Sequence, residues 1–246
     1  DGFRFTANKA NQLLQKAFID IETSFYMDYR EKLLKLCLDG LRIPKINESI
    51  KKRLYSWFPN KDRWRPSFYE SMGIWKKEND VVYSLMRGIF DESVSNQRSA
   101  GQALAKVAVG DKEVKDRLLL VVKEHPEIQT KAVALESLLE GWSDEKEVGE
   151  LVNFYAESNS PHLSLVGIYG KVVKNTQTEL DLKKLISLGT WDGGAGYEWT
   201  DLVVKLLLTG WAGSTEVKQR CLNALHGGSR DERLESSIAL KVLLCG

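Results

Sequence analysis

Apolar side chains recur along the chain with the period of a helix. Val114, Leu118, Val121 and Val122 fall at i, i+4, i+7 and i+8. Val217, Cys221, Ala224 and Leu225 repeat that spacing, and Val148, Leu151, Val152 and Tyr155 give the near variant i, i+3, i+4, i+7. Each set paints one stripe on a helix of about 3.6 residues per turn and leaves Lys, Asp, Glu and Gln on the other face. The segments just before them, 100–108 and 131–139, are rich in Ala and Leu on every face. That composition suits a helix buried from two sides. The predicted unit is therefore a buried helix, a short turn and an amphipathic helix.

Punctuation agrees with this unit. Gly110-Asp111 and Ser143-Asp144 separate the two helices of a pair, where Gly ends one and Asp or Ser caps the next. Pro126 and Pro161 open first helices, where a missing N–H costs nothing, and Ser160 is placed to cap. All five prolines (44, 59, 66, 126 and 161) fit outside helix interiors, and no stretch shows the alternation of a hairpin. The chain reads as all-α.

The unit is copied. Lys112-Glu113-Val114 returns as Lys146-Glu147-Val148, 34 positions on. Leu138-Leu-Glu-Gly-Trp142 returns as Leu207-Leu-Thr-Gly-Trp211, and Glu147-Val148 as Glu216-Val217, both 69 positions on. A period near 34 predicts a solenoid of antiparallel helix pairs, an alpha-alpha superhelix. The regular pairs are placed at about 97–124, 127–157, 161–188 and 198–226, with a truncated helix from near Ser229. Glu179-Leu180 is the expected counterpart of the Glu-Val phrase, 32 and 37 positions from its neighbours, with the loop Trp191–Trp199 absorbing the difference. Residues 1–90 carry no clear copy, and 1–95 read as an irregular helical region or cap. Its candidate helices lie near 7–19, 27–38, 47–57, 67–76 and 80–90, and residues 96–246 form the repeats.

The 246 residues are 43% hydrophobic, and no apolar run reaches the roughly 18 residues of a membrane span. Three cysteines, odd in number and far apart, point to free thiols in a reducing compartment, the cytoplasm. The chain starts without Met and stops at Leu243-Leu-Cys-Gly246 inside a predicted helix, so a longer parent protein is expected. Net charge is only +1, yet 41–77 carries +7 and 133–160 carries −6. Such poles bear on partner choice and on association between copies of the chain.

Catalytic and metal signatures are missing. There is no phosphate loop, dinucleotide fingerprint, His-Glu-x-x-His or Cys-x-x-Cys, and His125, His162 and His226 are isolated. No catalytic residue, cofactor or metal is assigned, and the expected role is binding. The best candidate surface is the run 53–69, where Arg53, Trp57, Arg63, Trp64 and Arg65 interleave rings with charge. Rings stack on bases or peptide groups while guanidinium groups meet phosphates or carboxylates. A protein partner is expected first, and nucleic acid could be met through the basic 41–77 segment. The competing reading has these rings filling the core of the cap. The glycine-rich loop offers a second candidate, Trp191, Asp192, Tyr197 and Trp199, against a reading in which its tryptophans pack back onto neighbouring helices. Trp142 and Trp211 are expected to pack between repeats.

The stretch Ala134-Leu-Glu-Ser-Leu-Leu-Glu-Gly-Trp-Ser-Asp144, followed by Glu150-Leu-Val-Asn-Phe-Tyr, resembles HEAT repeats. It looks most like those in the C-terminal arms of bacterial NACHT-type STAND NTPases, over roughly residues 96–228. Gly-Trp at 141–142 and 210–211 carries the likeness, with Asp144 matched by Gly213 in the second copy. An Arg opening first helices is clear only as Arg98. The resemblance implies a HEAT-like solenoid that senses a target, such as a phage component, in antiviral defence and restrains an NTPase encoded upstream. Two other classes stand beside it. One is a free-standing HEAT scaffold or adaptor. The other is a HEAT-like alkylpurine DNA glycosylase, with Asp192 beside the basic segment, which the acidic middle repeats disfavour.

Overall fold

A computed structural model of the chain describes residues 12, 13, 16, 69, 79–189, 197–226 and 236–245. Ten α-helices span these residues: α1 (Asn79–Gly88), α2 (Val94–Val107), α3 (Lys112–Glu124), α4 (Ile128–Trp142), α5 (Lys146–Ala156), α6 (Pro161–Val173), α7 (Glu179–Leu188), α8 (Thr200–Gly210), α9 (Thr215–Leu225) and α10 (Ser236–Cys245). A short 3-10 turn, Tyr197–Trp199, leads into α8. No strand occurs among the described residues, so the all-α expectation is met. The expected helix 80–90 is α1. Residues 12, 13, 16 and 69 are helical, while the rest of 7–19 and 67–76 and all of 27–38 and 47–57 lie outside the described residues.

The chain divides into two compact units, 1–111 and 112–246, a division that falls beyond the boundary read at 95/96. In the first, α1 packs on α2 at Gly88, where a Cβ would stand 2.6 Å from both Ala100 and Tyr69. Asp91 organises the α1–α2 turn. Its carboxylate accepts from the Ser93 N–H (2.9 Å) and the Asn96 amide (3.2 Å), and its carbonyl accepts from Gln97 (2.6 Å). Burial, together with Asp91, pushes the Tyr69 hydroxyl up to about 12.

In the second unit the amphipathic helices α3, α5, α7 and α9 start at Lys112, Lys146, Glu179 and Thr215, at offsets of 34, 33 and 36. Their third residues are Val114, Val148, Asp181 and Val217, all at most 4% exposed. The buried counterpart of Val148 is therefore Asp181, and Leu180 is 67% exposed. The offsets of 32 and 37 expected for Glu179-Leu180 are corrected to 33 and 36. Carried onto the first helices, the same offsets align Leu138, Lys171 and Leu207, and also Trp142, Asn175 and Trp211; α8 itself starts 39 residues after α6, behind the 3-10 turn that starts 36 after it.

Lys171 and Asp181 thus occupy slots held by Leu and Val in the flanking repeats. They make an ion pair at 2.8 Å, with side chains 15% and 4% exposed. Thr178 and Asp181 also form a reciprocal capping box at the start of α7: Asp181 accepts from the Thr178 N–H (2.8 Å), and Thr178 Oγ1 accepts from the Asp181 N–H (3.3 Å). Burial opposes both charges, but Lys171 and Thr178 outweigh it and hold the Asp181 carboxyl below its usual range. Burial likewise pulls Lys171 down, and Asp181 and Glu157 more than reverse it. A depressed carboxyl contributes stability that is present above its unfolded value, about 3.9, and lost as pH falls through the folded one. A raised ammonium contributes below its unfolded value, about 10.4, and loses that contribution above it. Urea unfolding of the wild type should therefore show stability declining below about pH 4 more steeply than in a Lys171→Leu/Asp181→Val double variant. Identical acid limbs would mean that this pair carries no linkage.

The helices enclosed most completely are α4 and α6, in which residues 132–139 and 163–170 are all buried. Their closest partners are not the ones expected. The intimate pairs are α3 with α4, α5 with α6 and α9 with α10, each joining an amphipathic helix to the first helix of the following repeat. Small residues explain the closest of these. A Cβ on Gly167 would stand 2.2 Å from the Ala156 backbone nitrogen, and one on Gly170 would stand 2.4 Å from Val152. Ser164 Oγ donates to the Ala156 carbonyl (3.2 Å), and Lys184 Nζ donates to the carbonyls of Ala156 (2.7 Å) and Ser158 (3.0 Å), satisfying the end of α5.

Caps are only partly as read. Pro161 opens α6, but Ser160 makes no side-chain cap bond. Pro126 lies two residues ahead of α4. Gly110 and Gly213 occupy the left-handed region at φ +78° and +76°, a conformation open to glycine at little cost. The expected helix start near Ser229 lies outside the described residues.

Candidate interaction surface

The outward face of the amphipathic helices is built by the same offsets. Leu120 on α3 and Phe154 on α5 share one repeat position and are 54% and 71% exposed. Ser187 and Asn223, both exposed, follow on α7 and α9. Leu180 continues the apolar character at a second outward position. The phenol of Tyr155 donates to the Val122 carbonyl at 3.2 Å and ties α5 to α3. The Phe154 ring meets Tyr155 edge to face, with centroids 5.0 Å apart. Its aromatic side is thus presented to solvent from a fixed base.

Charges around this row are committed to one another. Lys112 pairs with Asp116 (2.8 Å), Arg117 with Glu113 (2.7 Å) and Lys146 with Glu150 (3.5 Å), all one helical turn apart. Between helices, Lys115 meets Glu145 (3.1 Å) and Lys123 meets Glu147. Glu157 reaches Lys171 at 3.4 Å, and Glu136 is buried. Most acids of the 133–160 window therefore have basic partners, several from outside that window. The negative pole is a property of the linear sequence more than of this surface.

A second polar row runs along the first helices, where Glu136, Tyr169 and Lys205 share a repeat position. Lys205 Nζ donates to Tyr169 Oη at 3.1 Å and lies 4.6 Å from its ring centroid. Burial pushes the Tyr169 hydroxyl up, Lys205 pulls it down, and Glu140 and Glu136 add to the rise. This row cross-links α6 and α8.

Of the residues expected to bind, Arg53, Trp57, Arg63, Trp64, Arg65, Trp191 and Asp192 lie outside the described residues, as does the basic 41–77 segment apart from Tyr69. The backbone of Tyr197 is in the 3-10 turn ahead of α8. Trp199 is a correction. It is fully buried, with its ring 5.8 Å from that of His162, and an enclosed indole has no face left for a partner. Trp142 is buried as expected, whereas Trp211 is only half-buried and lines a cleft. Phe154 was missed because aromatic residues on a helix read as core. Its place opposite Val148 and Val152 on the helix wheel was the available signal.

No group of His, Cys, Asp and Glu suited to a metal ion occurs among the described residues, and no described helix is long and apolar enough to cross a membrane. Compared with protein-family models, curated proteins and solved structures, the chain matches none.

Proposed function

We propose that this chain is a protein-binding helical repeat, and that it serves as the target-recognition arm of a larger NACHT-type STAND NTPase in bacterial antiviral defence. The observation that carries the binding role is Phe154, 71% exposed and aligned with Leu120 on the neighbouring helix. Exposed apolar groups standing in a row, ringed by charges already paired, favour a partner that meets them with apolar groups of its own. Ion pairs tied within the surface add little attraction and leave specificity to shape. The defence role rests on the HEAT and NACHT resemblance of residues 96–228. A DNA-processing role draws no support from this face, where acidic and basic groups are interspersed.

The test uses the full reading frame that contains this chain, expressed in bacteria challenged with phage. Leu120→Ala/Phe154→Ala, both at exposed positions, should leave thermal stability within about 0.5 kcal/mol of wild type. Protection measured by plaque counts should nevertheless fall at least about tenfold, a loss equivalent to about 1.4 kcal/mol of binding. Unchanged protection would exclude this row as the contact surface. A reading frame with no NTPase would remove the STAND assignment and leave the binding role standing.

A further inference from the structure

We propose that the 112–246 unit also carries a small-molecule site for a compact apolar carboxylate, in the cleft beside Trp211. The cleft measures about 630 Å³ and lies where α8, the α8–α9 turn, the start of α9 and α10 meet. Its walls include Leu207, Trp211, Val217, Val242 and Leu243. Small-molecule sites are commonly about 300–1,000 Å³, mostly apolar, with few polar groups to orient the ligand. This cleft has that size and that balance.

The repeat offsets explain why it is open. At the preceding junction, Gln177 reaches across from the α6–α7 turn and donates to the Gly210 carbonyl at 3.1 Å. Gly210 itself packs on Val172, which would lie 2.8 Å from a Cβ there. The residue aligned with Gln177, 36 positions on, is Gly213. It has no side chain to bridge with, and nothing lies within 4 Å of where its Cβ would be. Trp211 stands where the preceding repeat has Asn175, so an aromatic wall replaces a polar residue. Two changes at aligned positions thus leave an apolar cleft where the preceding junction has a polar bridge.

Charge defines the ligand class. Among the described residues, Lys218 is the one charged side chain that lines the cleft, and its ammonium makes no ion pair or hydrogen bond with any of them. Ser214 spends its hydroxyl on the Val217 N–H at 3.4 Å. An apolar body against Trp211 and Leu243 with a carboxylate at Lys218 satisfies both halves of the cleft. This site is independent of the protein-docking row on α3 and α5.

Decanoate is the probe, with decanol and decyltrimethylammonium as charge controls, and calorimetric titration of the intact chain as the readout. Decanoate should bind one to one, decanol more weakly, and the cation more weakly still. Lys218→Gln, at an exposed position, should weaken decanoate at least tenfold and leave decanol unchanged. Lys218→Arg should restore decanoate, and Leu243→Trp, which fills the cleft, should abolish both. Bound decanoate should also slow alkylation of Cys245, a lining residue, as read by peptide mass mapping. Absence of saturable binding, equal affinity of Lys218→Gln for decanoate, or an unprotected Cys245 would each overturn the site.

Discussion

Lys171→Leu alone is expected to destabilise the 112–246 unit by about 3–5 kcal/mol, because a buried carboxylate loses its cation and keeps only the Thr178 hydrogen bonds. Asp181 is 4% exposed on its side chain and has no other basic partner among the described ion pairs. Asp181→Val should cost somewhat less, about 3 kcal/mol, since Lys171 keeps Glu157 at 3.4 Å. The double variant should recover most of these losses and end within about 2 kcal/mol of wild type, because apolar side chains replace the buried pair but not the Thr178–Asp181 capping box. The expectation follows from alignment: Leu138 and Val148 hold these two positions one repeat earlier, Leu207 and Val217 one repeat later, and all four are buried. Urea unfolding of the four proteins gives the coupling directly. Simple addition of the two single losses would mean that the aligned slots are not equivalent.

Gly167→Ala should be nearly as damaging, at about 3 kcal/mol, the upper end for overpacking. The new methyl would meet the Ala156 backbone nitrogen at 2.2 Å and the Tyr155 carbonyl carbon at 2.7 Å. Backbone cannot swing aside, so α5 and α6 must separate. Gly149→Ala is the control, because its methyl would meet only the Lys174 side chain, at 2.6 Å from Nζ. That ammonium can move, and Ala in a helix interior is favoured over Gly by about 0.5–1 kcal/mol. Thermal unfolding should rank Gly149→Ala above wild type and Gly167→Ala far below it. Equal effects would show that α5 and α6 do not approach as closely as described.

Periodicity alone placed α2 to α9 to within a few residues, because each amphipathic stripe follows from the local order of apolar and polar side chains. What it could not place was anything decided between repeats. Asp181 hid the true phase of α7, since a buried carboxylate in a valine slot breaks the apolar pattern that marks the phase. Leu180, one residue earlier, supplied a false match and proved 67% exposed. The intimate pairing of α5 with α6 depends on Gly167 and Gly170 facing Ala156 and Val152. Local propensity treats those glycines as weak points and says nothing of whom they admit.

The candidate site was less legible than the fold. Trp199, read either as part of a binding loop or as packing back onto neighbouring helices, is enclosed beside His162. Trp211 shares a phrase with Trp142, yet one is buried and the other half-exposed, because Gly213 leaves open the junction that Gln177 closes one repeat earlier. Charge suffered the same fate. Glu145, Glu147 and Glu157 belong to an acidic window, but their lysines, Lys115, Lys123 and Lys171, lie outside it. Windows along a chain do not see across helices.

Amide hydrogen exchange across residues 112–226 tests most directly whether enclosed first helices support an outward face of amphipathic ones. The slowest exchange is expected at 132–139 and 163–170, with α3 and α5 opening at lower free energy. Protection that is uniform along these helices, or greatest in α3 and α5, would contradict that arrangement and remove the platform on which Leu120 and Phe154 stand.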